Sequence, residues 1–403
     1  MTTSRSFDAI VIGGGVIGTS ITYHLARLGM TKVALIERDQ IGNGTTAQSS
    51  CILRTHYSVP ENVTLAQRSW AVFRDFSGYL DDAEASCGLV PCGYLIVAPE
   101  GEQAEALKAS LATQRGQGIR ADEIDAGPAR ALLPLAQFDD AAVIGHEPEA
   151  GFADAYLVTT GFARAARRLG ATLIEQTTVT GLLRAGGDGT GRVTGVSTHT
   201  GEQIHAGLVI SAQNIWTSEL AAWTGLTLPL RRERHAVMTL DCPGARYTSA
   251  MPVFKDLASP GMLYFRSYGG GQMLVSEGLA GEALDTIDTN QGDVSLDTVA
   301  AVGEQAAQRF PAYVDAGLAH SWTGVYDVTP DWNPVLGPAP GVDGLLLAYG
   351  FSGHGFKLSP LIGRLMAQQA LGLPTEVSLA PYALERFAAG RLLRGRYGVG
   401  AVS

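Results

Sequence analysis

The sequence predicts a two-domain protein of mixed class, an α/β domain assembled from separate stretches of chain with an α+β domain inserted into it. Three observations lead there. Strand, glycine turn, helix and strand succeed one another between residues 7 and 37; the texture changes to longer extended runs between 227 and 321; and near 345 the chain returns to an apolar strand ended by a glycine turn and a helix. A chain of 403 residues is too long for one ordinary core and long enough for two. With 46% apolar and 17% charged residues it has the composition of a globular enzyme. A formal net charge of -10, with no cluster of Lys and Arg, disfavours nucleic acid and anionic lipid as partners. Cys51, Cys87, Cys92 and Cys242 are too few for a disulfide framework, and the Cys87 to Cys92 spacing lacks a second pair or nearby histidines to close a zinc site. Reduced thiols and no metal are expected. The opening residues run straight into a strand, and no apolar stretch approaches the roughly 20 residues of a membrane span, so a cytoplasmic protein is expected.

The first element is the apolar run Phe7 to Ile12, which ends in the glycine turn Gly13 to Gly18. A helical pattern follows, with Ile21, Leu25 and Leu28 on one face and Gly29 as its stop. The next apolar run, Lys32 to Ile36, ends in Glu37, near the roughly 20-residue distance at which an acid binds a ribose diol. Each glycine has its own reason: Gly13 for the tight turn, Gly15 so that backbone can approach a pyrophosphate, Gly18 so that helix and strand pack closely. The helix start at Val16 and Ile17 offers free N–H groups and partial positive charge to phosphates. Glu37, with Arg38 beside it, would bind the ribose hydroxyls and repel a 2'-phosphate, which disfavours NADP. This combination marks a Rossmann-type dinucleotide-binding domain. The small-residue loop from Gly42 to Ser50, including Gly44, Thr45, Thr46, Ser49 and Ser50, suits a long, extended cofactor better than a plain NAD module, although an ordinary surface loop reads the same way.

Farther along, 161–169 reads as an amphipathic helix stopped by Gly170, and Thr172 to Glu175 as another parallel strand. Leu182 to Ala185, Val193 to Ser197 and Ile204 to Ser211 form a meander, with turns at Gly187-Asp188-Gly189 and Thr200-Gly201. The last strand runs into Ala212 to Trp216. Ala236 to Leu240, Met262 to Phe265 and Met273 to Ser276 are extended runs of the inserted domain. The expected division is 1–85, 149–226 and 322–403 for the dinucleotide domain, and 86–148 and 227–321 for the inserted one. At the far end Leu345 to Tyr349 is an apolar strand, followed by Gly350 to Lys357. Ser359 is a good N-cap and Pro360 a good first helical residue, so a helix is expected from there to about Gly372, its positive end aimed at whatever the glycine turn holds.

Three segments together, the N-terminal fingerprint, Trp322 to Gly337 and Gly350 to Lys357, give the chain its family likeness. It resembles the D-amino acid oxidase superfamily over essentially its whole length, and within it sarcosine oxidase, both the monomeric form and the β subunit of the multi-subunit form. The resemblance implies FAD, a discontinuous Rossmann-type FAD-binding domain, and a substrate domain whose mainly antiparallel sheet roofs the flavin. Arg54 is similar in position to the arginine that binds the substrate carboxylate, and Lys357 to its lysine partner. A guanidinium fork plus an ammonium suits a carboxylate; a cofactor-phosphate contact or a surface ion pair stays open for Arg54. Tyr326 and, more loosely, Tyr264 correspond to active-site tyrosines, with core aromatics as the alternative. Val179, Trp216, Gly324, Gly350, Ser352, Gly353, His354, Gly355 and Lys357 are assigned to the cofactor, His354 through its backbone. Gly324 stands where the monomeric enzyme has a flavin-linking cysteine, and Gln48 where dimethylglycine dehydrogenase has a flavin-linking histidine, so noncovalent FAD is expected. Leu274 falls at the oxygen-activating lysine and Gly278 near an active-site histidine, which leaves oxidase and dehydrogenase both open. Asn214 replaces a glycine, and Asn tolerates a left-handed backbone.

The function these implications support is oxidation of a small amine or N-alkyl amino acid, sarcosine-like or a cyclic secondary amine, by hydride transfer to flavin N5, giving an imine that hydrolyses. Oxygen or an electron carrier takes the electrons. A flavin-dependent 2-hydroxy acid oxidoreductase, or the flavoprotein subunit of a multi-subunit amine dehydrogenase, stays as the alternative, and so do oligomers and heteromeric complexes.

Overall fold

The computed structural model describes residues 5–186, 191–242, 244–279, 281–286 and 294–396. The turn expected at Gly187, Asp188 and Gly189 lies outside the described residues. Two large sheets share the chain. The first has the order Val335–Pro338, Leu345–Tyr349, Gln203–Ser211, Arg5–Ile12, Val33–Ile36, Thr172–Ile174. Along this path the four pairings from Leu345–Tyr349 to Thr172–Ile174 are parallel and Val335–Pro338 returns antiparallel on its neighbour, while Val193–Thr198 and Val179–Arg184 extend the sheet antiparallel from Gln203–Ser211. Val33–Ile36 and Leu345–Tyr349 are wholly buried apolar runs because the sheet is covered on both sides. Ala9, Val11, Val33 and Leu35 face one apolar cluster, which the helices Val16–Arg27, Ala155–Arg168 and Gly355–Ala370 share. Ile10, Ile12, Ala34 and Ile36 alternate onto a second cluster, with Val179, Val193 and Val196 from the meander Val179–Arg184 and Val193–Thr198.

The second sheet has nine strands, in the order Glu282–Leu284, Arg231–Asp241, Gln272–Ser276, Tyr264–Tyr268, Val253–Asp256, Tyr94–Ala98, Val143–Glu147, Asp122–Glu123, with Gly317–Val328 paired along Arg231–Asp241. Only Val253–Asp256 and Tyr94–Ala98 run parallel; the rest are antiparallel. The strands between 94 and 147 and those between 231 and 284 thus join one sheet, and Gly317–Val328 belongs to it on both sides of residue 321. Its two faces differ sharply. Leu95, Val97, Met238, Leu240, Phe254, Phe265, Met273 and Val275 form one face, a core closed by Val302, Ala306 and Phe310 at the helix Leu296–Arg309. The opposite parity, read through the pairings, places Glu147, Lys255, Tyr264, Arg266, Leu274, His235, Gly324 and Tyr326 on the other face. A strand alternates its side chains, so one face is an apolar core while the other combines these residues with Tyr94, Ile96, Ala98 and Val253, which pack on the first cluster.

The last long helix corrects an expectation. It starts at Gly355, with His354 at its N-cap, and Pro360 lies inside it. Pro360 has no N–H for the Phe356 carbonyl one turn back, and the Ser359 hydroxyl donates to that carbonyl at 2.9 Å instead. Ser359 therefore repairs a helix interior and does not cap its start. The Ser359 carbonyl in turn accepts from Ser20 Oγ at 2.8 Å. Gly363 lets the two helices meet there, since a Cβ on it would lie 2.1 Å from Ser20 Oγ. The earlier helix likewise begins at Ala155 and not at 161, because the Asp154 carboxylate accepts from Leu157 N–H at 2.8 Å and closes its first turn. Among the described residues no helix is long and apolar enough to cross a membrane.

Candidate active site

The ends of the first sheet's parallel strands open into a cleft of about 890 Å³. Gly13, Gly15, Val16, Ile17, Glu37, Arg38, Gly44, Thr45, Thr46, Val179 and Trp216, all expected cofactor contacts, line it. The backbone has been cleared for a close approach: a Cβ on Gly13 (φ +108°) would lie 2.5 Å from the Ala212 carbonyl oxygen. Gly18 is not in the wall. A Cβ on it would sit 1.8 Å from the Gly13 carbonyl oxygen, so its work is to let the helix start press on the turn. Glu37 accepts from Gly14 N–H at 2.6 Å and from Asp39 N–H at 2.9 Å, and its carboxylate stands in the cleft. Val16 N–H donates to Thr46 Oγ1 at 3.1 Å, which ties the expected phosphate cradle to the loop above it. Asn214 has φ +51°, the left-handed backbone that its side chain tolerates, and its Oδ1 accepts from Thr45 Oγ1 at 3.2 Å. At the mouth the Arg38 guanidinium lies 4.9 Å from the Trp216 ring centroid. A helix start, an acid standing in the cleft and the glycines Gly13, Gly15 and Gly44 in its wall fit an extended dinucleotide such as FAD.

The cleft also takes in residues the sequence reading passed over. Thr177, Thr178, Gln213, Ile215, Val325 and Phe351 line it, as does Gln48. Thr177 and Thr178 follow the strand Thr172–Ile174, and ligands of open α/β sheets bind beyond the carboxyl ends of strands, so strand order would have pointed to them. Gln48 is a strap: its Oε1 accepts from Val325 N–H at 3.0 Å, and its carbonyl from the Trp322 indole N–H at 3.3 Å. Gly324 faces it, since a Cβ there would lie 3.4 Å from Gln48 Cβ. Ser50 is held from the nine-stranded sheet, its carbonyl accepting from Arg266 Nε at 2.7 Å, and the Ser49 hydroxyl accepts from Cys51 N–H at 3.0 Å.

Beyond the cleft lies the turn 350–354, held by Asp327, whose carboxylate accepts from Gly350 N–H at 2.6 Å and whose carbonyl accepts from Ser352 N–H at 3.3 Å. Gly350, Ser352 and Gly353 all take left-handed backbone, which bends the strand straight into the helix. Gly353 is under the Tyr326 ring, where any Cβ would come within 2.4 Å. Around this turn the expected catalytic residues converge. The Arg54 guanidinium stacks 4.7 Å from the Tyr57 ring, and its Nη1 donates to the His56 carbonyl. The Tyr57 hydroxyl lies 3.0 Å from His354 Nδ1. Lys357, in the first turn of the helix rather than ahead of it, reaches the Gly353 carbonyl with Nζ at 3.5 Å. Tyr264 lies beside Tyr326, close enough to act on its hydroxyl.

The electrostatics of this compartment are those of a site short of negative charge. Burial, and then the charge of Arg54, pulls Lys357 well below the usual lysine range. Burial, Lys357 and Arg54 hold His354 well below its ordinary value, so it is neutral near pH 7. Burial drives Tyr326 well above the usual phenol range, with Tyr264 adding to the rise. The sequence reading missed three further residues here. His235 stacks on Tyr326 at 4.0 Å between centroids. Glu147, deep beneath Arg54, accepts from Thr55 N–H at 3.2 Å and from Gln114 Nε2. Lys255 is buried beside Tyr264, its Nζ 5.6 Å from that ring centroid. All three sit on strands, and only the pairing of those strands reveals that they face the site.

Known proteins share this plan. The β subunit of sarcosine oxidase from Arthrobacter sp is 26% identical over 410 residues, covering 99% of this chain and 95% of that one. An L-proline dehydrogenase structure from P.horikoshii superposes with a TM-score of 0.86 at 25% identity, over 96% of this chain and 100% of that chain. A glycine oxidase structure from Geobacillus kaustophilus superposes with a TM-score of 0.81 at 26% identity, over 95% and 99%. The pattern of the FAD dependent oxidoreductase family, DAO, matches residues 8–369. The chain therefore belongs to the DAO family of FAD-dependent oxidoreductases, and FAD is its cofactor.

Proposed function

We propose that this enzyme oxidises a small amine carrying a carboxylate, such as an N-methyl or cyclic amino acid, at the carbon next to nitrogen. The observation that supports it is the meeting of Arg54 and Lys357 at the turn that closes the cofactor cleft. Arg54 offers a bidentate fork and Lys357 a second cation once a bound carboxylate offsets its burial and the charge of Arg54, and together they hold the carboxylate and so fix the attached carbon. Bound FAD would supply the two-electron acceptor for the hydride. The amine binds neutral, its lone pair assisting departure of the hydride, so that no strong base is needed. Lys357 and the N–H groups at the start of the helix Gly355–Ala370 present positive charge to the turn and favour negative charge arriving there. Tyr326 and Tyr264 shape the far wall. The imine that leaves hydrolyses in water.

Gln48 and Gly324 face one another where a side-chain link to the flavin would start, and neither can form one; FAD is held noncovalently. Acid precipitation should leave the yellow colour in the supernatant. The test of the reaction is flavin absorbance without oxygen. Sarcosine or proline should bleach it and 2-hydroxyglutarate should not, and readmitting air then separates an oxidase from a dehydrogenase. Bleaching by the hydroxy acid alone would overturn the amine reading. Turnover of the purified single chain with an artificial acceptor would show that no partner subunit is required.

A further inference from the structure

Lys255 has no place in the chemistry above, yet it is built into the same compartment. It alternates on its strand with Phe254 and Asp256, which point into the apolar core. Asp256 is fully engaged there: Arg309 binds both its oxygens, at 2.9 and 3.0 Å, and Ala258 and Ser259 N–H donate to Oδ1 at 3.0 and 3.1 Å. Lys255 points the other way, onto the opposite face. Its register partner is Tyr264. Tyr264 acts on the hydroxyl of Tyr326, the Tyr326 ring covers Gly353, and the Gly353 carbonyl accepts from Lys357 Nζ at 3.5 Å.

The lysine head has been given room. A Cβ on Gly278 would lie 1.9 Å from Nζ, so any larger residue there would expel it. Its Nζ donates to the Met262 carbonyl at 2.5 Å, and among the described residues no carboxylate hydrogen-bonds its remaining N–H donors. Burial, and then the charge of Arg54, pulls Lys255 down to about 7, and an anion would relieve both effects. Two cations already suffice for one carboxylate.

We propose that Lys255 forms a second anion subsite and that the substrate is an amine carrying two carboxylates, the first held by Arg54 and Lys357 and the second by Lys255. This rests on the amine-oxidising reading, and binding can test it apart from turnover. The FAD-loaded enzyme is titrated calorimetrically near pH 6.5 with thiodiacetate and with methylthioacetate, which differ by one carboxylate and have no amine to oxidise. Wild type should bind the diacid at least tenfold more tightly, about 1.4 kcal/mol. Lys255→Met should reduce that preference below twofold, and Lys255→Arg should retain most of it. Equal binding of the two acids by wild type, binding of neither, or a preference that survives Lys255→Met overturns the subsite. If the preference stands while no amine bleaches the flavin, the subsite holds and the reaction assigned above is wrong.

Discussion

Two helical glycines, Gly18 and Gly303, should respond oppositely to the same change. Alanine at Gly18 would put a methyl group 1.8 Å from the Gly13 carbonyl oxygen, whereas ordinary contacts lie at roughly 3.5 Å. Helix and turn must therefore part by about 1.7 Å, and overpacking of that kind costs about 1–3 kcal/mol. The separation falls where Gly13 and Val16 line the cleft, so the cost should appear in cofactor affinity as well as in stability. At Gly303, in the helix Leu296–Arg309, an added Cβ meets nothing within 4 Å, and Gly→Ala in a helix gains about 0.5–1 kcal/mol. Both variants would be stripped of FAD, melted in urea, and titrated with FAD by quenching of its fluorescence. Gly18→Ala should lose stability and at least tenfold in affinity, with Gly303→Ala slightly stabilised and unchanged in affinity. A Gly18→Ala protein that binds FAD within twofold of wild type would refute the cradle.

Other outcomes follow from buried charge. Arg386 binds both oxygens of Asp331 at 2.8 Å, both residues fully buried, so Asp331→Ala should cost about 3–5 kcal/mol in urea melts, and adding Arg386→Met should recover part of it. Burial pushes the Glu147 carboxyl up to about 7, above its ordinary 4.5. A raised carboxyl contributes its stability below the unfolded value and loses it as pH rises through 7. Melts of wild type and Glu147→Gln between pH 4 and 8 should therefore diverge by on the order of 3 kcal/mol, wild type falling with pH; parallel curves would count against the shift. Gln48→Ala removes the bond to Val325 N–H, worth about 1 kcal/mol, and should weaken FAD several-fold in the same fluorescence titration.

The cofactor half of the molecule was legible in the sequence because it depends on local signals. A glycine forced by a turn or a close approach, an acid after the second strand and an apolar run of a parallel sheet all declare themselves within a few residues. Gly13 makes the tight turn and Gly18 the close approach that their spacing implied, and Glu37 stands in the cleft lining. The helix at 355 misled, because Ser-Pro is a helix start in isolation, whereas here the left-handed turn at 350–353 had already begun one and Ser359 serves as the repair for Pro360. The substrate face was the least legible. Lys255, Glu147 and His235 lie on three strands that meet only through the order of a nine-stranded sheet, and no residue's neighbours in sequence mark it as facing inward. Asp331, conspicuous within the segment that gave the family likeness, anchors Arg386 and Leu393 N–H rather than a ligand.

The carboxylate grip can be measured in one comparison: anaerobic reduction of the flavin in wild type and Arg54→Ala by proline and by pyrrolidine, or by sarcosine and by dimethylamine. The half-saturating concentration for the amino acid should rise roughly 10- to 100-fold in the variant, as loss of a charge-assisted pair implies, and that for the plain amine should stay within about twofold. Equal shifts for both, or none for either, would mean that Arg54 does not hold the substrate.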